Sequence, residues 1–324
     1  MLAFLRSSSP DPKTSADCSG CGLCLLVCPV WRRTRDIELT PHGRSKALQN
    51  GARPADIATS IQSCTLCGAC EPVCPERIDL TDRVLDLRRT LGPPAGFPTD
   101  AVQRRVALHP PSSAPLLLPD RALAANPDAL KRTAGLLGGM VTADDDGSDI
   151  ALALEAGADI SSQRLERFLA PLRRSAKLIV ADGLLLRHVA RWLPGVPLVS
   201  LGEALSSVPE VRDSLRATDL YVIESRAYHA DYQRLVKYYD GLRRAKACAF
   251  NLDLQRIAIP ASAPNLLQRL GLESRNDDEQ AHWILHGRRI SRIVVENLED
   301  RAVFENVSDV PVAYLADVME AVAC

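Results

Sequence analysis

The hydrophobic and polar positions fall into two regimes along the chain. Between residues 43 and 91, apolar residues recur at three- and four-residue spacing. Gly43–Asn50 and Pro54–Ser63 each open at a helix breaker and predict short helices. Asp79 or Thr81 is placed to cap a helix through Leu91, with Leu80, Val84, Leu87 and Leu91 on one face and Gly92-Pro93-Pro94 as its stop. Beyond residue 115 the pattern changes. Short apolar runs at Lys177–Ala181, Leu220–Glu224 and Arg292–Val295 read as buried strands. Amphipathic segments predict helices at Pro127–Leu137, Gln163–Arg173, Leu184–Trp192, Asp231–Ala247, Ala263–Leu270, Asp278–His286 and Val312–Ala323. Such alternation predicts an α/β region with a mainly parallel sheet. The segments 177–205 and 292–319 align loosely, at an offset of about 115 residues, as two similar halves. A proline-rich stretch (Pro93, Pro94, Pro98, Pro110, Pro111) separates the regimes and reads as an extended linker. The expected organisation is a loose tail at 1–14, a helical domain at 15–92, a linker at 93–114 and an α/β domain at 115–324.

Candidate chemistry is concentrated in the first regime. Cys18, Cys21, Cys24 and Cys28 precede Pro29, and Cys64, Cys67, Cys70 and Cys74 precede Pro75. Both runs read C-x2-C-x2-C-x3-C-P. Thiols bunched in two short loops do not make a disulfide framework. Structural zinc uses the same ligand type, usually as separated C-x-x-C pairs, and stands as the alternative. The doubled run resembles the ligand run of two-cluster bacterial-type ferredoxins. That resemblance implies two [4Fe-4S] clusters with crossed ligands: Cys18, Cys21, Cys24 and Cys74 for one, Cys64, Cys67, Cys70 and Cys28 for the other. Gly20, Gly22 and Gly68 would let the backbone approach the clusters, and Leu23, Leu25, Leu26 and Val27 would exclude water.

About 35 residues of helical pattern separate the two runs. With Pro41–Ala47 (PHGRSKA) and Cys64–Pro75 (CTLCGACEPVCP), this resembles the all-helical two-cluster ferredoxin domain of iron–sulfur subunits of glycolate oxidase, anaerobic glycerol-3-phosphate dehydrogenase and heterodisulfide reductase. The second regime resembles the CCG-type domain of the same subunits, but its cysteines are gone. Asp182-Gly183-Leu184 and Asn297-Leu298-Glu299 follow the strands instead. Asn251–Pro260 is similar to a segment of iron–sulfur proteins of dimethylglycine catabolism. The implied fold class is α + α/β. The implied function is an electron-transfer subunit without catalytic residues of its own. It would pass electrons from a flavin-containing dehydrogenase subunit, acting on an amine or hydroxyacid, to a quinone-linked membrane protein, an electron-transfer flavoprotein or a ferredoxin. A heterodisulfide reductase-like catalytic subunit, a bifurcating-complex subunit and a non-redox scaffold with structural metal remain as alternatives.

Composition narrows the partners. A net charge of -1 over 324 residues gives no basic footprint for nucleic acid. Aromatics at 4% give no base-stacking platform. No apolar run is long enough to cross a bilayer, and the N-terminus has no signal-peptide core. The expected location is the cytoplasm, peripheral to a membrane only through partners. No G-x-G-x-x-G follows a strand, so no nucleotide or flavin site is expected. Cys248 reads as a buried inert thiol and Cys324 as a terminal one. His42, between the runs, is placed either to donate to a cluster sulfur or to stand at the surface. His282 and His286 lack a third ligand. Asp144-Asp145-Asp146 reads as a solvated turn. Arg32, Arg33 and Arg35 are candidates to steer an acidic partner or to offset cluster charge.

Overall fold

The computed structural model describes residues 13–98, 114–254, 256–275 and 277–319. Residues 13–98 hold helices and 3-10 turns: α1 (Leu23–Val27), α2 (Pro29–Thr34), α3 (Pro41–Gln49), α4 (Ala58–Ser63) and α5 (Leu80–Leu91). Local sequence explains their limits. Thr40 accepts from the Gly43 N–H and Pro41 occupies the first turn of α3, a pre-organised start. The Asp79 side chain does not cap α5; Glu71 accepts from the Thr81 N–H instead, at 2.9 Å.

The rest alternates. In order come β1 (Leu116–Leu118), α6 (Arg121–Ala124), α7 (Pro127–Leu136), β2 (Val141–Thr142), α8 (Ser148–Ala156), α9 (Ser162–Leu172), β3 (Leu178–Val180), α10 (Gly183–Trp192), β4 (Leu198–Ser200), α11 (Leu201–Ser206) and α12 (Pro209–Asp213). There follow β5 (Asp219–Val222), α13 (Ser225–Ala230), α14 (Tyr232–Lys246), β6 (Ala249–Phe250), the hairpin β7 (Leu252–Asp253) and β8 (Ile257–Ala258), α15 (Leu266–Arg269), α16 (Asp278–Leu285), β9 (Arg292–Val295), α17 (Leu298–Val307) and β10 (Val312–Tyr314). The strands form two parallel four-stranded sheets, β2-β1-β3-β4 and β10-β9-β5-β6. Read from the other edge, the second sheet has the order of the first. The segments 177–205 and 292–319 therefore hold the same place in two like halves. Only the second half carries the antiparallel hairpin.

Alternate strand residues face opposite sides of a sheet. Leu117 and Ile179 of the first sheet meet Tyr221 and Val294 of the second in one shared core. The other faces pack on α8, α9 and α10 (Leu116, Leu118, Leu178, Val180) and on α16 and α17 (Leu220, Val222, Ile293, Val295). Each fully buried side chain of this size contributes about 1.5–3 kcal/mol, against about 0–1 kcal/mol for a surface ion pair. The apolar layers hold the halves together. Polar links add specificity: Tyr221 and Tyr239 donate to buried Glu296 at 2.7 and 2.6 Å, and Arg292 pairs with Asp219 at 2.7 Å.

Several expectations change. Val312–Ala323 does not begin as a helix, because Val312–Tyr314 pairs with β9 and a 3-10 turn follows at Leu315–Asp317; residues 320–323 lie outside the described residues. Ala263–Leu270 shortens to α15. Of the linker, 99–113 lies outside the described residues. Its start is packed: Phe97 is buried against Ala153, Ala156 and Leu266. The acidic turn is pinned, because buried Arg164 pairs with Asp145 at 2.7 Å and with Asp149 at 2.6 Å.

Gly157 ends α8 at a φ of 74°, and a Cβ there would stand 2.3 Å from the Arg88 backbone of α5. Gly157→Ala is expected to lower stability by about 2–4 kcal/mol through left-handed strain and overpacking. Denaturant unfolding followed by circular dichroism checks this; an unchanged midpoint would mean that α5 and α8 do not press together here.

Candidate metal centres and an adjoining cavity

The eight cysteines gather into two hollows. The first is lined by Cys18, Cys21, Cys24 and Cys74, the second by Cys28, Cys64, Cys67 and Cys70. The last cysteine of each run thus sits with the first three of the other. The crossing follows from the backbone. Each fourth cysteine directly precedes a proline, and Cys28 is already in extended conformation before α2. Gly20, Gly22 and Gly68 all have positive φ, as loops wrapped this tightly require.

The two hollows differ in exposure. Cys21 is exposed, whereas Cys28 and Cys67 are buried. Burial pushes the Cys24 thiol up to about 11, with Cys18 and Cys21 adding to it. Burial, with neighbouring thiols adding to it, raises Cys28 to about 11 and Cys67 to about 12, and pushes Cys70 well above the ordinary thiol value. In the metal-free chain these thiols keep their protons, so a metal must displace them. Among the described residues no three His, Cys, Asp or Glu side chains converge as ligands of a single ion. The thiols of each set line a hollow instead.

Other side chains serve the hollows. Arg44 is buried beside the second; it donates to the carbonyls of Leu39 and Ser60 at 3.0 and 2.8 Å, and its charge acts against the upward shift of Cys28. Sequence reading noted the PHGRSKA segment but gave Arg44 no role. His42 lines the first hollow, where its buried Nδ1 has no hydrogen-bond partner. Val27 is buried, but Leu23 and Leu26 are exposed and exclude no water. Arg32 is not free to steer a partner. It is buried, paired with Asp253 of the hairpin, bonded to the Leu26 carbonyl and stacked over Trp283. Cys248 is buried, with its thiol raised to about 11 by burial, and His282 bonds only within its own helix. Cys324 lies outside the described residues.

The α/β region, together with α5, holds the second cysteine loop by its carbonyls. Arg226 donates to Thr65 O at 2.6 Å, His229 Nδ1 to Cys67 O at 2.7 Å and Arg88 to Cys64 O at 2.5 Å. Arg187 bonds both oxygens of Glu71, at 2.8 and 2.9 Å, next to Cys70. Beyond Thr65 and Cys67 opens a cavity of ≈ 390 Å³ at the carboxyl ends of β1, β3, β5 and β9. Burial and the nearby Asp182 raise Asp120 and Glu224 there to about 7.

Compared with known families, residues 14–78 match that of the 4Fe-4S dicluster domain. The match takes in both cysteine runs and leaves the α/β region outside it. No curated protein and no solved structure matches the chain.

Asp120 and Glu224 hold protons in the fold that they lose near pH 4 when unfolded. Their contribution to stability is therefore complete at low pH and lost as pH rises through about 7. The melting temperature is expected to fall as pH rises from about 4 to about 7 and to level off above that, less steeply in Asp120→Asn. Anaerobic melts across that range decide it; a rising curve would contradict the assignment.

Proposed function

We propose that this chain is the electron-transfer subunit of an oxidoreductase complex, a reading supported by the 4Fe-4S dicluster match over both cysteine runs. In this reading it holds two [4Fe-4S] clusters, one on Cys18, Cys21, Cys24 and Cys74 and the other on Cys64, Cys67, Cys70 and Cys28. The carrying observation is the gathering of eight thiols into two crossed sets of four. The donor set fits the group. A cube takes four thiolates, and each hollow offers four. When bound, such clusters supply one-electron transfer.

The chain's own residues supply the rest. Burial of Cys28 and Cys67, with Arg226, His229 and Arg88 gripping the loop carbonyls, keeps the second site dry and rigid. Arg44 offsets negative charge beside it. The first site opens to the surface at Cys21, flanked by exposed Leu23 and Leu26. That edge is where a partner comes within electron-transfer reach. A flavin-containing dehydrogenase subunit on one side and a quinone-linked protein, electron-transfer flavoprotein or ferredoxin on the other satisfy this role. No helix of the described residues is long and apolar enough to cross a membrane, so a membrane acceptor would be reached through another chain.

Isolated without air, the protein is expected to be brown with about eight irons per chain. The crossing makes a sharper forecast. Cys21→Ala and Cys74→Ala should perturb the same electron paramagnetic resonance signal, and Cys67→Ala and Cys28→Ala the other. A colourless zinc protein would end the reading; Cys74→Ala acting with Cys67→Ala would end the ligand assignment.

A further inference from the structure

The α3 helix touches both hollows, and Pro41 at its start lines each of them. Beyond Pro41 it presents Arg44 to the second hollow and His42 and Ser45 to the first. One face of α3 serves the first cysteine loop along its length. His42, Lys46 and Gln49 follow one another at helical spacing, and the last two donate to the Cys18 carbonyl at 3.3 and 2.8 Å. The turn that carries His42 has little freedom. The Thr40 hydroxyl accepts from the Gly43 N–H at 3.1 Å, and a Cβ on Gly43 would stand 2.1 Å from the Ile37 carbonyl oxygen.

Arg44 has protein partners, the carbonyls of Leu39 and Ser60. The His42 ring has none at Nδ1, which is buried and without a hydrogen bond. Of the buried side-chain nitrogens left unpartnered among the described residues, His42 Nδ1 alone belongs to the wall of a cysteine hollow. Such a group costs about 1–3 kcal/mol unless something bonds it. The wall it belongs to carries four cysteines. Sulfur is a hydrogen-bond acceptor, and neutral imidazole with its proton on Nδ1 is a donor. The orphaned nitrogen and the group that four thiolates would hold are therefore chemical complements.

We propose that His42 donates an Nδ1–H hydrogen bond to a sulfur of the centre held by Cys18, Cys21, Cys24 and Cys74, and so keeps the potential of that centre up. The proposal rests on the two-cluster reading. Reduction adds one negative charge to a centre, and a donor aimed at its sulfur stabilises the more negative state. His42 does not line the second hollow, so its influence is confined to one centre of the two. It acts as a tuning residue for the centre whose ligand Cys21 is exposed.

The test titrates the anaerobically purified full-length protein with dithionite at one fixed pH and reads both midpoint potentials from the electron paramagnetic resonance signals. His42→Leu, which keeps bulk and removes the donor, is expected to lower the midpoint of the centre whose signal Cys21→Ala perturbs and to leave the other in place. His42→Asn sets an amide nitrogen where Nδ1 stands and is expected to restore most of that shift. In protein carrying isotopically labelled histidine, pulsed resonance on the same signal should show a histidine nitrogen coupling that His42→Asn abolishes. Should His42→Leu fail to hold iron, this coupling and its loss in His42→Asn decide the matter. Unmoved potentials in an iron-replete His42→Leu protein, an equal drop in both, or a coupling that survives His42→Asn overturns the role of His42. Iron content separates this failure from that of the two-cluster reading: a chain with about eight irons and unmoved potentials loses only the histidine, whereas a chain without cubes loses both.

Discussion

A single buried carboxylate holds the molecule's parts in register. Glu155, at the end of α8, is 3% exposed and pairs with Arg226 at 3.1 Å and Arg269 at 3.0 Å. Burial by itself would raise its carboxyl, but Arg226, Arg269 and Arg88 outweigh that and hold it below its ordinary range. Arg88 donates to the Glu155 carbonyl at 2.9 Å and to the carbonyls of Ile61, Gln62 and Cys64. Arg226 reaches Thr65 O. One knot thus joins a helix from each half of the α/β region to the loop that carries three thiols. Buried charges of this kind persist only when each has a partner. Moving any one element would strand the others.

That constraint explains the contrast between the two hollows. The second is enclosed because the α/β region closes over it and bonds its backbone. The first is held within the helical segment, where Gln49 reaches the Cys18 carbonyl at 2.8 Å and Lys46 reaches it at 3.3 Å. One site is therefore built for protection and the other for access. A chain handling single electrons benefits from both, since an enclosed centre resists water and an open one shortens the distance to a partner.

The cysteine runs were legible in the sequence because ligand spacing is a local property. The helices α3, α5, α7, α9, α10, α14 and α16 were legible for the same reason: their periodicity extends over two turns or more. What escaped depended on distant residues. The strands β1, β2, β4 and β6 have two or three residues each, too short to show a period. Val312–Tyr314 carries a helical spacing but pairs with β9, a case of tertiary contact overriding local preference. The acidic turn read as solvated because Arg164, its partner, lies some twenty residues on. Arg32 read as a surface charge because Asp253 is far away in sequence. The cavity was invisible as such. Asp182 and Asn297 were noticed only as residues following strands, and the topology is what brings them to one place.

The repeated strand order has a geometric corollary. Two copies of one frame meet at a seam, so each position on one wall has a counterpart on the other. Asp182 and Asn297 are such a pair, one acidic and one neutral, though both still cap the helix that follows. The hairpin, present in one half alone, meets the cysteine-bearing segment through Asp253 and Ile257. The other half meets it through Arg187 and Leu184, so matching frames clasp one neighbour by unlike means.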